Sequence, residues 1–482
     1  ILREAAMKKY LSRIICVLLV IALAIGGLWY VNGVLIMKRS DGILTMQDFY
    51  AQPDGTVDVL LVGNSHSGIN IDTATLWDSR GIAAYDLWGG VQPLWNSYHY
   101  IVEALKYQTP RLIVLEVMAS TSDYEYSEEQ NQIKNTAGMR LSKNKIEAVR
   151  ASAPEDRQLN LLLGFPLYHG RFDELTMEDF QHFPWSKGLE NFKGSVLRYG
   201  TGSYEFESAE GISETAPVMD KELEYLNKII DLCREENVPL MLLKTPSLER
   251  EQTQPILNTV AGIAEDNGLA FVNMNLMDDE LGITADDWSL DRHMNAGGAR
   301  KVSAWLADHL QSEYDIPDRR GDAAYASWDV NAHDVNNAYL AAVTDSADYF
   351  AELRRNGRAL LVIKNSPWES DAMAELEAEL ESVGVQSAVY DESANNAILI
   401  ADTVTGENAP AQVEGESMSF TLGGDTLQVN FEYQDVYLND KKLTYYGGSE
   451  ITLIVFDTLT NSVVDTVGFN TLNGCALTRA EE

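Results

Sequence analysis

Basic side chains are scarce in this chain. It carries 36 Lys and Arg against 73 Asp and Glu, for a formal net charge of −37. Binding a nucleic-acid backbone needs clustered Lys and Arg, so nucleic acid is excluded as a partner. Cysteine is scarcer still, with three residues: Cys16 lies in an apolar N-terminal stretch, and Cys233 and Cys475 are far apart. So small and odd a number excludes a disulfide framework and leaves at least one thiol unpaired. Fixed-period repeats and low-complexity tracts are also lacking. What is present suits a folded protein. The apolar share is 45%, enough for large buried cores, and 482 residues leave room for about three domains of roughly 150 residues.

Charge is absent from Ile14 to Met37. A helix of that length spans roughly 36 Å, enough to cross a hydrocarbon core of about 30 Å. Lys8, Lys9 and Arg13 precede it, which predicts a cytoplasmic N-terminus over 1–13 and a transmembrane anchor over 14–37. Lys38 and Arg39 follow it and weaken that bias. Trp29 and Tyr30 suit an outer interface but fall rather deep in the run. A cleaved signal peptide is the alternative, with Ala22 and Ala24 as a small-x-small site; the apolar run continues past them, which favours a retained anchor. Met7 reads as the start. Under either reading the bulk of the chain lies outside the cytoplasm.

Beyond the anchor, short apolar runs alternate with helical patterns. Val57–Val62, Ala83–Leu87, Leu112–Val117, Pro239–Leu243 and Ala270–Asn273 read as strands. Leu94–Lys106, Lys221–Asn237, Ile256–Asn267 and Gly297–Glu313 read as helices. Such alternation predicts βαβ units on a parallel sheet, hence one α/β domain over about 50–315. A polar segment, 120–215, interrupts it and is expected to be a helical insertion where α/β enzymes often place a substrate-facing cap. Residues 316–341 lack a clear period and read as a linker. A β-rich α+β unit follows over 342–482.

Two motifs in the first domain carry chemistry. Val62-Gly63-Asn64-Ser65-His66-Ser67 follows an apolar strand. A serine there is exposed by the turn, and a helix beginning beside it offers N–H groups to a developing oxyanion; a plain helix N-cap reads the same way. Trp288-Ser289-Leu290-Asp291-Arg292-His293-Met294-Asn295 precedes the last helix. Serine is a poor nucleophile until a base takes its proton, and that base needs an orienting carboxylate. In a turn, Asp291 and His293 are close enough to serve. Asp286, Asp287, Asp291 and His293 could instead hold a metal, although their spacing does not demand one.

Taken together, strand-GNSH and a late Asp-x-His resemble the SGNH (GDSL-like) hydrolase superfamily over about 50–315, with its three-layer α/β fold. The resemblance implies Ser65 as nucleophile, His293 as general base and Asp291 as orienting acid, with no cofactor. It implies an oxyanion hole from the Ser65 N–H, Gly89 or Gly90 of LWGG, and an Asn after the third strand. That Asn is missing: Leu115-Glu116-Val117-Met118 stands there, and Asn96 is the substitute candidate. This departure is more typical of membrane-anchored O-acyltransferase relatives. His66, Trp95, His169 and Arg171 are candidate substrate contacts, each with a structural alternative; Trp88, Trp95 and Tyr98 could stack on sugar rings.

The second unit resembles the ILEI/PANDER domain through Arg358–Lys364, Asn396–Ala401 and Ile451–Phe469 (ITLIVFDTLTNSVVDTVGF). Related domains in glycan-processing enzymes bind carbohydrate. The implied function is an extracytoplasmic esterase or O-acyltransferase acting on a surface glycan. As a transferase it would need a multi-pass membrane partner to deliver the acyl donor. The alternative is a non-catalytic glycan-binding or assembly protein on the same scaffold.

Overall fold

The structure is a computed structural model. It describes residues 2–39, 41–183, 192–355, 358–364, 371–385, 397–402, 408–412, 417–422, 425–430, 435–445, 449–460, 462–470 and 473–479. Residues 1–325 and 326–482 form two compact units.

In the first unit, Val59–Gly63 (β1), Ala84–Trp88 (β2), Leu112–Glu116 (β3), Leu240–Lys244 (β4) and Ala270–Asn273 (β5) form a parallel sheet in the order β2-β1-β3-β4-β5. The first four strands are buried throughout. A parallel sheet covered on both faces selects continuous apolar runs such as VLLVG rather than alternating ones. β5, at the edge, is only partly buried. The chain steps from β1 outward to β2, then returns past β1 to β3. Open α/β sheets bind ligands in the crevice beyond the strand C-termini at such a reversal, and β1 ends there, two residues before Ser65.

A helix follows each of the two motifs. Asp72 caps Thr73–Arg80 by accepting from Ala74 N, and Gly81 ends it at φ 64°. Asn295 caps Ala296–Tyr314 by accepting from Gly298 N at 3.0 Å. The two helices pack on each other. Trp288 and Met294, both fully buried, join them to the core and bracket the Asp-x-His turn.

Among the described residues, one helix is long and apolar enough to cross a membrane: Tyr10–Leu35, mean hydropathy 2.7, within the helix Leu2–Leu35. Within the expected 14–37 span, exposure continues through Val31, but Gly33 to Ile36 are buried, with Leu35 and Ile36 packed against Ile43, Ala137 and Tyr168. Trp29 and Tyr30 lie in the last exposed turn.

The insertion divides into two parts, with different neighbours. Lys143–Ser152 packs on the helix Leu94–Ala104, and Phe165–Tyr168 and Met177–Gln181 pack on the N-terminal helix. Among the described residues, the later stretch reaches the Asp-x-His turn through Arg198, Gly202 and Tyr204.

The second unit holds two antiparallel sheets. Arg358–Lys364 (β6), Ala397–Asp402 (β7), Asn408–Gln412 (β8), Ile451–Asp457 (β13), Ser462–Phe469 (β14) and Thr478–Arg479 (β15) order as β15-β14-β13-β6-β7-β8. Ser417–Leu422 (β9), Asp425–Asn430 (β10), Asp435–Leu438 (β11) and Lys441–Tyr445 (β12) order as β12-β11-β10-β9. Leu360, Leu453, Val455 and Phe469 pack with Tyr349 and Phe350. The aperiodic stretch 316–341 is no simple linker: it contains most of a helix, Ala326–Ala342. Asn396, Asn461 and residues 431–433 of the expected strands lie outside the described residues.

Candidate active site

Position 63, where β1 ends, has no room for a side chain. A Cβ there would sit 2.7 Å from Glu116 Cβ and 2.9 Å from Ser67 Cβ. Asn64 then turns the chain, its side chain accepting from His66 N at 2.9 Å, and the short helix Ser65–Gly68 begins. Trp88 covers that helix so closely that a Cβ on Gly68 would lie 2.0 Å from the indole. Ser67 donates to both oxygens of the buried Asp86, at 3.0 and 2.8 Å. Burial pushes the Asp86 carboxyl up to about 8, against the Ser67 bond and with the Glu116 charge.

Trp288 and Met294 form an antiparallel bridge that pinches residues 289–293 into a turn, with Arg292 at φ 68°. Ser289 N donates to His293 O at 2.8 Å. Inside the turn, His293 Nδ1 lies 3.3 Å from Asp291 Oδ1. Its Nε2 lies 2.8 Å from Ser65 Oγ, a contact between residues 228 apart in sequence. The three expected residues therefore form one chain of contacts, carboxylate to imidazole to hydroxyl. A neutral imidazole bonded this way can take the hydroxyl proton as that oxygen attacks.

Three residues the sequence reading missed hold this arrangement. Ser289 Oγ donates to Asp291 Oδ1 at 2.6 Å. Arg198 Nε donates to Asp291 Oδ2 at 2.7 Å. Partial burial pushes the Asp291 carboxyl upward, but these two bonds and the neighbouring His293 and Arg198 charges hold it well below the usual carboxylate range. Asn70, fully buried, accepts from Met294 N at 3.1 Å and donates to Thr245 Oγ1 and Pro246 O, tying the turn to the loop after β4. Ser289 stands inside the quoted motif and was open to notice. Arg198 and Asn70 carry no local signal, since their partners are remote in sequence.

The remaining candidates divide. The His66 ring lies 5.3 Å from the His293 ring; burial, then the Lys244 and His293 charges, lower its pKa well below the usual imidazole value, so it stays neutral at pH 7. Gly89 follows β2 directly beside the end of β1, since Gly63 pairs with Trp88; a Cβ on Gly89 would strike Asn135 Oδ1 at 2.0 Å. Gly90 accepts from Asn135 Nδ2 at 3.1 Å.

Asn96 does not replace the missing donor. Its amide is buried and spent on Asn135 O and Ser152 Oγ at 3.2 and 3.0 Å. Trp95 is fully buried beneath the Lys221 ammonium, 3.9 Å from its ring centroid, so it is core rather than a sugar platform; Trp88 likewise is buried. Arg171 donates to Leu35 O, at the end of the N-terminal helix. His169 bonds Pro166 O at 2.8 Å on the segment packed there, so neither is a substrate contact at this turn. Asp287 is occupied by Thr284 and by Lys301 at 2.8 Å. Among the described residues no group of His, Cys, Asp and Glu has the geometry to hold a metal.

Where the resembled pattern has its Asn, Glu116 faces Lys244 across β3 and β4, Nζ to Oε1 3.5 Å, both fully buried. Burial pushes the Glu116 carboxyl up and the Lys244 ammonium down, and their mutual attraction partly offsets both.

No protein-family model matches this sequence, and no curated protein matches it. Among solved structures it is similar to an acylhydrolase-described protein from Bacteroides fragilis NCTC 9343, at 10% identity and TM-score 0.28, covering 56% of this chain and 95% of that one. It is also similar to a gut microbial diltiazem-metabolizing enzyme, at 15% identity and TM-score 0.20, covering 54% of this chain and 48% of that one. Scores this low do not define a shared fold; the side-chain geometry carries the functional reading.

Proposed function

We propose that this chain is a membrane-tethered, extracytoplasmic serine esterase or O-acyltransferase of SGNH type, acting on a surface glycan. One observation carries the reading: His293 Nε2 stands 2.8 Å from Ser65 Oγ while its other nitrogen faces Asp291. Ser65 Oγ attacks the acyl carbonyl carbon as His293 Nε2 takes its proton. The carbonyl oxygen becomes an oxyanion, met by the Ser65 N–H and by the Gly89–Gly90 backbone. Collapse breaks the ester C–O bond; His293 returns the proton to the departing alkoxide, leaving acyl-Ser65. Water or a sugar hydroxyl then attacks by the same steps in reverse. Asp291 keeps the imidazole oriented and stabilises its protonated form. Tyr10–Leu35 serves as the anchor, the ILEI/PANDER-like unit as a sugar-binding module, and a multi-pass membrane protein as acyl-donor partner in the transferase case.

Acetyl-xylan and p-nitrophenyl acetate, each with and without a free-sugar acceptor, separate hydrolysis from transfer. Acetate release that stays constant with acceptor supports an esterase; loss of acetate to acetylated sugar supports a transferase. Neither product, from a chain that also fails to react with a fluorophosphonate, refutes the catalytic reading. The Glu116–Lys244 pair in place of the Asn donor favours one alternative, a glycan-binding protein on this scaffold, and that double negative is its signature.

A further inference from the structure

The first part of the insertion does nothing at the candidate active site, and its surface is unlike the rest of the first unit. Leu159, Leu163, Phe165, Phe172, Met177 and Phe180 are 63%, 56%, 37%, 73%, 69% and 47% exposed. They sit on consecutive short elements: Glu155–Leu163, Phe165–Tyr168, His169–Asp173 and Met177–Gln181. Scattered apolar side chains on a surface need no explanation, but a concentration of large ones marks a contact with something apolar.

That concentration adjoins the N-terminal helix at one level. Phe183 places its ring 5.0 Å from both Trp29 and Tyr30. Gly33 has no room for a side chain there, since a Cβ would meet Phe183 at 2.5 Å. Gly164, at φ 72°, presses on Asn32, with 2.7 Å between a notional Cβ and Asn32 Oδ1. Arg171 donates to Leu35 O, and Lys38 folds back to Gly33 O at 2.5 Å and Ile36 O at 3.1 Å. A cation on the last carbonyls of a helix offsets their partial negative charge. The seam spans residues 29–36, just where the helix passes from exposed to buried. The charge-free exposed helix from Ile14 to Val31 is roughly 27 Å long, close to a hydrocarbon core of about 30 Å. The seam, and the apolar side chains flanking it, therefore fall at the level of the headgroups.

We propose that residues 155–183 form a collar immersed in the outer membrane–water interface around the anchor, with the lipid bilayer as the occupant of its apolar face. Short amphipathic helices lie in that plane with their apolar side some 5–10 Å into the headgroup and acyl boundary. The collar converts a flexible tether into a fixed seat, because one rigid seam grips the helix while several side chains enter the lipid. The inference rests on the reading of Tyr10–Leu35 as a membrane anchor, and it holds whether or not Ser65 is catalytic.

Spin labelling of the full chain in phosphatidylethanolamine–phosphatidylglycerol nanodiscs tests it. A Cys16→Ala background leaves only the buried Cys233 and Cys475, whose residual labelling is read from that background alone. Labels are placed by Phe172→Cys, Met177→Cys and, within the anchor, Ile21→Cys. Accessibility to oxygen and to an aqueous nickel chelate reports depth. The collar predicts an oxygen-to-nickel ratio several-fold above that of free label at Phe172 and Met177, and higher still at Ile21. A free-label ratio at both collar positions, with Ile21 deep, overturns the collar and leaves the anchor standing. A free-label ratio at Ile21 removes the anchor reading and the collar with it. Thermal melting of each variant at the background temperature confirms that the labels report the folded protein.

Discussion

At the residue scale, Asp291 is held from three directions: the His293 ring, the Ser289 hydroxyl and the Arg198 guanidinium. Arg198 is a positioning residue, reaching the imidazole only through the carboxylate. Arg198→Ala should therefore lower kcat for ester turnover more than KM, because the carboxylate that orients the base is loosened, and Arg198→Lys should restore most of it. A fall in melting temperature with the kcat and KM of the remaining folded protein unchanged would give Arg198 a structural role only. Ser289→Ala should leave folding intact and lower kcat more than KM, because the missing bond loosens the base rather than the substrate.

At the scale of elements, the buried pair and the covered helix give the sharpest tests. Lys244 and Glu116 are fully buried. Removing one partner from a buried pair typically costs about 3–5 kcal/mol, whereas replacing both by apolar groups is often neutral. Lys244→Met should lower the melting temperature sharply, and Lys244→Met with Glu116→Leu should recover much of it. Asp86 links an element to pH. Its folded pKa, about 8, lies above the unfolded carboxylate value of about 3.9. Between these values the folded state holds a proton that the unfolded state has lost, so stability declines as pH rises from about 4 to 8. Asp86→Asn should flatten that part of the melting-temperature curve; an unchanged slope would place the linkage elsewhere, Glu222 being next, since burial pushes it too up to about 8.

Elements were also where sequence and structure agreed and parted. The strands were legible to within a residue or two because VDVLLV and LIVLEV have no alternative to a doubly covered sheet. Ser65, Asp291 and His293 were legible because each stands at a forced turn beside an apolar strand or a capped helix. The insertion was not. Polar composition and short helices say nothing of which neighbour they cover, and Arg171 met a helix end rather than a substrate. Asn96 failed for a related reason: a buried amide bonds whatever backbone lies nearest, and here that was Asn135. The helix Ala326–Ala342 stayed hidden because its apolar residues lack a single stripe.

At the scale of the molecule, a net charge of −37 makes the chain repel itself. Salt shortens the reach of that repulsion to about 10 Å at 0.1 M, so the melting temperature should rise between 10 and about 150 mM NaCl. A fall would mean that favourable ion pairs outweigh the repulsion. The same charge disfavours approach to anionic lipid.

The account turns on one hydroxyl meeting one imidazole across the sheet. Peptide mapping by mass spectrometry after fluorophosphonate treatment tests this most directly. The account predicts a single phosphonylated peptide bearing the adduct on Ser65, none in Ser65→Ala, and labelling slowed at least a hundredfold in His293→Ala, in line with the loss of general-base help. An adduct on another residue, or one that persists in Ser65→Ala, would contradict it.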